Sequence, residues 1–200
     1  MGLHPCHHAK TQPDKAALIL AGTGETVSFA GLEARSNQIA HALRQAGFGP
    51  GDTIALFAEN SLRYFEVAWA AQRSGLYFVC ISSRLTAPEV AYIIADSGAR
   101  LLIASPGIGG VARESAQTAG LDLCWALEGE IEGFVALSDI ADAQPTEPIA
   151  DEQRGSDMLY SSGTTGRPKG IRPPLTPGAP IDEETALTMI AMGVCGLSAE

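Results

Sequence analysis

The chain lacks the segments that mark membrane, secreted and nucleic-acid-binding proteins. No apolar run in the 200 residues approaches the roughly 18 to 20 residues that a membrane-spanning helix needs. The first ten residues contain no apolar core of a secretory signal. The net charge of −10, with no lysine- or arginine-rich run against it, repels the phosphate backbone of nucleic acid. We therefore expect a cytoplasmic protein with no transmembrane segment and no nucleic-acid partner.

Paired cysteines and a convincing metal cluster are also missing. The four cysteines are scattered without CxxC spacing, which is typical of reduced cytosolic thiols. Three histidines and one cysteine crowd into residues 4–8, but ligands at a chain end have few neighbours to orient them. We therefore expect a disordered N-terminus over residues 1–12 rather than a metal site.

What the chain does contain is a regular alternation of short apolar segments with helical patterns. The helical patterns carry start and stop signals, such as Ser28 before one helix and Thr86 with Glu89 as a capping box before another. Strands that alternate with helices form parallel sheets, so we expect an α/β fold with a mainly parallel sheet flanked by helices. The predicted strands lie at 17–21, 26–29, 53–58, 77–81 and 101–104, with weaker runs at 121–127 and 134–137.

Composition divides the rest of the chain. We assign residues 13–140 to an α/β subdomain. Residues 141–156 are polar and acidic with two prolines, which predicts a connecting loop. Residues 157–200 then carry the motif described next and the start of another subdomain, with a last helix from about Asp182 to Met192.

The most informative segment is YSSGTTGRPKG at residues 160–170. Glycines let successive backbone N–H groups approach an anion, the hydroxyls add donors, and Lys169 adds a point charge. This chemistry suits a polyphosphate. The spacing is not that of the Walker A loop, and the plainer interpretation is a flexible, solvated linker.

This segment resembles the phosphate-binding signature of the AMP-forming adenylating enzymes, which include acyl-CoA synthetases, adenylation domains of peptide synthetases and luciferase. Residues 27–75 and 82–105 also resemble the opening of the large domain of these enzymes, so the resemblance covers most of residues 13–170. The similarity is greatest to bacterial fatty-acyl-CoA synthetases. It implies that the chain is the N-terminal part of such a large domain.

The resemblance implies an ATP-dependent ligase that forms an acyl-adenylate and then an acyl-CoA thioester. Its substrates would be a carboxylic acid, most simply a fatty acid, with ATP and CoA, and Mg²⁺ would assist. Thr164 would face the Mg²⁺ ion. A homodimer is compatible with this assignment. The implied ATP-binding residues are Ser161, Ser162, Gly163, Thr164, Thr165, Gly166, Arg167, Pro168 and Lys169.

The resemblance also implies motifs that the 200 residues do not contain. The adenine-binding and acidic magnesium motifs and the C-terminal catalytic lysine of the family come later in the chain, so we expect catalytic residues beyond Glu200 and no activity from this piece alone. Residues 171–174 also depart from the usual continuation. Two alternatives stay open: a non-catalytic nucleotide-binding or interaction module of the same fold, and an adenylation domain that loads a carrier protein.

The remaining side chains of interest are aromatic or cationic. Aromatic residues mostly fill protein cores. We therefore expect a core role, rather than an acyl pocket, for the five aromatic residues of segment 61–81. The arginines near them are expected to be solvated or structural, with Arg84 the one that precedes a helix on a loop. The aromatic group comprises Tyr64, Phe65, Trp69, Tyr77 and Phe78.

Overall fold

The architecture is a parallel sheet with helices on both faces. A computed structural model describes residues 4–161 and 167–183. The strands are β1 (Ala16–Leu20), β2 (Glu25–Ser28), β3 (Thr53–Phe57), β4 (Tyr77–Ile81), β5 (Leu102–Ala104), β6 (Cys124–Ala126), β7 (Val135–Ala136), β8 (Ser156–Asp157), β9 (Leu159–Ser161) and β10 (Lys169–Ile171). The helices are α1 (Pro5–Thr11), α2 (Phe29–Gln45), α3 (Leu62–Arg73), α4 (Ala87–Ser97), α5 (Gly109–Ala119) and α6 (Leu137–Ala141). No helix within the described ranges is long and apolar enough to cross a membrane.

Within these residues, six parallel strands form the main sheet in the order β7-β6-β5-β3-β4-β8. Two antiparallel hairpins, β1–β2 and β9–β10, stand apart from it. The α/β fold with a mainly parallel sheet, predicted from the sequence, is confirmed.

The central strand β3 shows how the two faces of the sheet are filled. All five of its residues are buried, as expected for a strand covered on both sides. Ile54 and Leu56 join the core beneath α2, α3 and α6, whereas Ala55 and Phe57 join the core beneath α4 and α5. Successive side chains point to opposite faces of a strand, so β3 divides the core into two layers.

The local signals for helix boundaries are confirmed. The Ser28 side chain accepts a hydrogen bond from the Gly31 N–H at 3.1 Å and caps α2. The Glu89 carboxylate accepts from the Thr86 N–H at 2.8 Å at the start of α4. Gly98 ends α4 in the left-handed conformation that glycine tolerates best.

Two of the weaker predicted strands are shorter than expected. In the run 121–127, only Cys124–Ala126 pairs. In the run 134–137, Val135 and Ala136 pair with β6, and Leu137 instead begins α6. A five-residue helix contains too few turns to show a helical period, so the sequence gives no signal for it.

The N-terminus folds where the sequence predicts disorder. Residues 5–11 form α1, and His4 and Cys6 are buried. The His4 ring lies edge-on against Trp69 with their centroids 4.8 Å apart, and its Nε2 lies 3.2 Å from Gln72 Oε1. Its Nδ1 accepts from the Cys6 N–H at 3.2 Å. His4 thus takes a structural role because α3 supplies an apolar surface that the N-terminal sequence does not reveal.

The segment between α6 and β8 crosses the structure without helix or strand of its own, apart from one bridge at Gln153. It is held to the helices by ion pairs. The buried Arg73 guanidinium of α3 lies 2.6 Å from Glu33 Oε2 on α2 and 3.4 Å from Glu152 Oε1 in this segment. Removing one partner of such a buried group would leave an uncompensated charge. Arg73 is therefore structural.

The chain just before β8 lies directly against the backbone of residues 71–76, and this close contact requires a glycine at position 155. The Gly155 N–H donates to Gln72 O at 2.6 Å. A Cβ at this position would collide with Leu76 O and lie 2.7 Å from Leu76 N and 3.0 Å from Ala71 O. These atoms are all backbone and cannot turn away, so a larger residue would force β8 away from β4.

We expect Gly155→Ala to destabilise the protein by about 1 to 3 kcal/mol, because overpacking against fixed atoms has that cost. Urea denaturation measures it. Gly110→Ala is the matched control, since a Cβ there meets nothing within 4 Å and Gly110 lies in α5. That variant should be neutral or gain about 0.5 to 1 kcal/mol. Equal stabilities of the two variants would contradict this account of β8.

We also expect the docking of α1 to weaken at mildly acidic pH. Burial lowers the pKa of His4 below its ordinary value, although the hydrogen bond to Gln72 opposes this. The native state therefore binds fewer protons than the unfolded chain as the pH falls below about 6.5, and the stability that neutral His4 contributes is lost there.

Trp69 fluorescence reports this change, because His4 contacts its ring. In the wild type the signal should be constant at neutral pH and shift as the pH falls below about 6.5. It should stay constant in His4→Asn, since asparagine also caps helices but does not titrate. A wild-type signal that does not depend on pH would show that His4 stays neutral or does not hold α1.

Candidate functional site

The signature segment is carried by a two-stranded hairpin. In the β9–β10 pair, Lys169 lies opposite Ser161, Gly170 opposite Tyr160, and Ile171 opposite Leu159. The first and last of the nine implied ATP-binding residues are therefore cross-strand neighbours. Side chains directly opposite each other in such a pair have Cβ atoms about 4.5 to 5.5 Å apart. The hairpin thus brings one hydroxyl and one ammonium group together.

The two faces of the hairpin differ. Ser161 and Lys169 lie on an exposed face with Leu159 and Ile171, which are 52% and 59% exposed. Tyr160 points the other way and packs against the core beneath α4 and α5. The alternation of side chains therefore leaves the polar pair free for a ligand while a tyrosine attaches the hairpin to the protein.

Gly170 permits this attachment. A Cβ on Gly170 would collide with Met158 Cε and would lie 2.9 Å from Tyr160 Cζ. The tyrosine ring therefore lies directly against the backbone of the opposite strand. Gly170, which follows the implied ATP-binding residues, therefore makes room for Tyr160.

Five of the implied ATP-binding residues lie outside the described residues: Ser162, Gly163, Thr164, Thr165 and Gly166. Their roles stay predictions, including that of Thr164 toward Mg²⁺. In the rest of the described chain, no group of three or more His, Cys, Asp or Glu side chains is placed to hold a metal ion.

Arg167 and Pro168 both meet Tyr92 of α4. The Arg167 guanidinium carbon lies 5.5 Å from the centroid of the Tyr92 ring, and the Tyr92 hydroxyl lies 3.1 Å from Pro168 O. The side chains of Arg167 and Lys169 are both exposed, and Lys169 lies on the exposed face of the hairpin. This arrangement suits an anion of several charges, such as the phosphates of a nucleotide.

The hairpin lies where a parallel sheet commonly binds ligands. It follows the carboxyl end of β8, and the neighbouring strand β4 ends at Ile81 before Ser82, Ser83 and Arg84. Arg84 is exposed, on the same edge of the sheet. Ligands of open α/β sheets bind at the carboxyl ends of the strands, so this edge is the candidate active site.

Sequence reasoning did not find three residues that hold the hairpin. The Tyr160 hydroxyl donates to Asp96 Oδ2 at 2.6 Å. The Tyr92 hydroxyl contacts Pro168 O, just before the other strand. Burial, followed by the hydrogen bond to Asp96, raises the pKa of Tyr160, which stays a neutral donor. Tyr92 and Asp96 are four residues apart in a helix, a spacing that by itself predicts only a shared face.

The expected core role of the aromatic group is confirmed for Tyr77, and Tyr64 and Phe78 are half-buried and pack against the core. Tyr77 is 6% exposed, whereas the others line an apolar cavity of about 810 Å³ between α3, β4, β8 and the segment 173–183. Burial raises the pKa of Cys80 in this cavity, so its thiol is protonated and not a nucleophile. The four aromatic residues that line the cavity are Tyr64, Phe65, Trp69 and Phe78.

Comparison with known proteins adds independent information. The family model described as AMP-binding enzyme matches residues 6–172. A fatty acid–[acyl-carrier-protein] ligase of Streptomyces coeruleorubidus is 37% identical over 82% of this chain and 31% of its own length. A long-chain-fatty-acid–CoA ligase of Mycobacterium tuberculosis is 31% identical over 82% of this chain and 32% of its own length.

Solved structures of known proteins also match this chain. The crystal structure of the anthranilate CoA ligase AuaEII in complex with anthranoyl-AMP matches with a TM-score of 0.75 and 27% identity, over 84% of this chain and 33% of that one. The chain spans about a third of the length of the curated relatives that it matches.

We expect Gly170→Ala to displace Tyr160 from Asp96, because the new methyl group would occupy the space of the tyrosine ring. Amide hydrogen exchange of the hairpin should accelerate, while urea denaturation shows a loss of about 1 to 3 kcal/mol. Gly22→Ala in the β1–β2 turn is the control, since a Cβ there meets nothing within 4 Å. Unchanged exchange in Gly170→Ala would show that the hairpin tolerates a side chain.

Proposed function

The chain belongs to the AMP-binding enzyme family, and on that premise we propose that it forms the phosphate-binding part of an AMP-forming acid ligase. In this reaction a carboxylate oxygen attacks the α-phosphorus of ATP, the α–β phosphoanhydride bond breaks, and pyrophosphate leaves as the acyl-adenylate forms. The thiol of CoA then attacks the acyl carbon, loses its proton, and displaces AMP. The product is an acyl-CoA thioester.

The pairing of Ser161 with Lys169 is the observation that carries the proposal. A lysine ammonium is a compact point charge that suits the phosphates of ATP, and a neighbouring hydroxyl can donate to the same anion. Both side chains are exposed on one face of a hairpin that is anchored from behind. Such fixed donors lower a barrier most where charge develops, which is here on the departing pyrophosphate.

Mg²⁺ is proposed on chemical grounds. It would neutralise charge on the phosphates when bound, and Thr164 is the residue that we propose on its side. The exposed face of the described hairpin contributes the Lys169 ammonium group, the Ser161 hydroxyl and no carboxylate, so any acidic ligand must come from elsewhere. Ser161 and Lys169 act through hydrogen bonding and charge.

The substrate is proposed to be a fatty acid, with CoA as the acceptor. The Mycobacterium tuberculosis relative is named for long-chain fatty acids and CoA, and the Streptomyces relative for fatty acids and an acyl carrier protein. The solved relative is named for anthranilate, an aromatic acid. A carrier protein is therefore the alternative acceptor. A homodimer and a cytoplasmic location belong to the same proposal.

We expect Lys169→Ala and Thr164→Val to slow carboxylate-dependent ATP–pyrophosphate exchange, measured on the protein as its gene encodes it. Removing one electrostatic contact of this kind costs about 2.7 to 4 kcal/mol, or roughly 100- to 1000-fold in rate. Thermal stability should stay near that of the wild type, because Lys169 is exposed and packs against no core.

Lys15→Ala is the matched control, since it removes one exposed lysine far from the hairpin in the sequence and should leave exchange unchanged. Wild-type kinetics in both hairpin variants would contradict phosphate binding. ATP binding that depends on Lys169, without any pyrophosphate exchange, would instead indicate a non-catalytic nucleotide-binding module.

A further inference from the structure

We propose that Tyr92 and Asp96 of helix α4 are positioning residues that hold Ser161 and Lys169 in register for phosphate. This inference rests on the proposed function and adds the part of the molecule that sets the geometry of the site. Neither residue reaches the exposed face of the hairpin. Both act through the residues that precede Ser161 and Lys169 in the chain, Tyr160 and Pro168.

The first contact lies just before Ser161. Tyr160 donates its hydroxyl proton to Asp96 Oδ2 at 2.6 Å, within the range of strong hydrogen bonds between a hydroxyl and a carboxylate. The Tyr160 ring is partly buried against the core. Because Tyr160 and Ser161 are consecutive in a strand, fixing the tyrosine ring inward directs the serine outward.

The second contact lies just before Lys169. The Tyr92 hydroxyl lies 3.1 Å from Pro168 O and 3.4 Å from Asp96 Oδ1, so its single proton is donated to one of two acceptors, of which the carbonyl is nearer. Pro168 has no N–H, and its carbonyl is the one main-chain group that it can offer. The Tyr92 ring also lies beside the Arg167 guanidinium, at a distance suited to a cation–π contact.

Helix α4 is a rigid support for these contacts. Tyr92 and Asp96 are four residues apart and share one face of the helix. Ile93 and Ile94 are buried in the core, and the capping residues Thr86 and Glu89 define its start. Helix α4 therefore contacts the hairpin at Tyr160 in β9 and at Pro168, just before β10, which limits how far Ser161 and Lys169 can separate.

Hydroxyl deletion separates this role from general packing. Tyr92→Phe keeps the ring beside Arg167 and removes only the hydrogen bond. Asp96→Ala removes the acceptor of Tyr160, whereas Asp96→Asn keeps an acceptor oxygen in the same place. Tyr77→Phe is the matched control, because the Tyr77 hydroxyl also donates to a proline carbonyl, Pro173 O at 2.5 Å, beyond the hairpin.

The test measures the dissociation constant for MgATP and the amide hydrogen exchange of β9 and β10 on the protein as its gene encodes it. We expect Tyr92→Phe and Asp96→Ala each to weaken MgATP binding roughly fivefold and to accelerate hairpin exchange by a similar factor, the effect of one ordinary hydrogen bond. Asp96→Asn should recover to within about twofold of the wild type, and Tyr77→Phe should bind MgATP as the wild type does.

Three results would overturn the inference in distinguishable ways. If Lys169→Ala weakens MgATP binding while Tyr92→Phe and Asp96→Ala do not, the positioning role is wrong and the phosphate site stands. If Tyr77→Phe weakens binding as much as Tyr92→Phe, the effect is one of general stability. If the wild type does not bind MgATP, or Lys169→Ala binds it as tightly as the wild type, the proposed function fails and the positioning role fails with it.

Discussion

The position of the candidate site depends on one short edge pairing, that of β4 with β8. Only two residue pairs make it, Tyr77 with Ser156 and Phe78 with Asp157. The backbone continues the contact on both sides, since Ser156 N–H donates to Leu76 O at 3.0 Å and Met158 N–H to Phe78 O at 2.9 Å. Gly155 allows this close approach. These main-chain contacts place the start of the hairpin, and the side chains of Tyr160 and Tyr92 then attach it to the rest of the protein.

The register of this pairing decides which side chains of the hairpin are exposed. Met158 and Tyr160 both point into the core beneath α4 and α5, while Leu159 and Ser161 between and after them are exposed. A shift of one residue would exchange the two sets, because strand side chains alternate with a period of two. Tyr160 would then lose its hydrogen bond to Asp96, and the Ser161 hydroxyl would be turned toward the core. The burial of Met158 and Tyr160 therefore specifies the exposure of Ser161.

Much of this fold could be predicted from the sequence, because its signals are local. Ser28, the Thr86 and Glu89 pair, and Gly98 act on residues within one turn of themselves, and the alternation of apolar runs with helical periods indicates a parallel sheet. Helix α1 could not be predicted in this way. The burial of its cap residue, His4, depends on Trp69 and Gln72, more than sixty positions further along the chain.

The candidate site could likewise be predicted from the sequence only in part. The motif predicts that Ser161 and Lys169 serve one ligand, and the structure shows them paired across a hairpin. The contacts of α4 with that hairpin join residues about seventy positions apart and carry no sequence pattern of their own. The cavity lined by Tyr64, Phe65 and Trp69 was likewise hidden, since an aromatic residue on a helix looks the same from the sequence whether it faces a core or a cavity.

The strength of the Lys169 site depends on its apolar neighbours. Leu159 and Ile171 lie on the same exposed face as Ser161 and Lys169, and more than half of each side chain is accessible. A lysine and a phosphate oxygen 4 Å apart gain only about 1 kcal/mol in bulk water, and several times more where the effective dielectric constant is near 20. Covering the two apolar side chains would exclude water from the adjacent ammonium group. If the hairpin binds phosphate as we propose, its affinity is therefore set jointly by the charge of Lys169 and by whatever packs over Leu159 and Ile171.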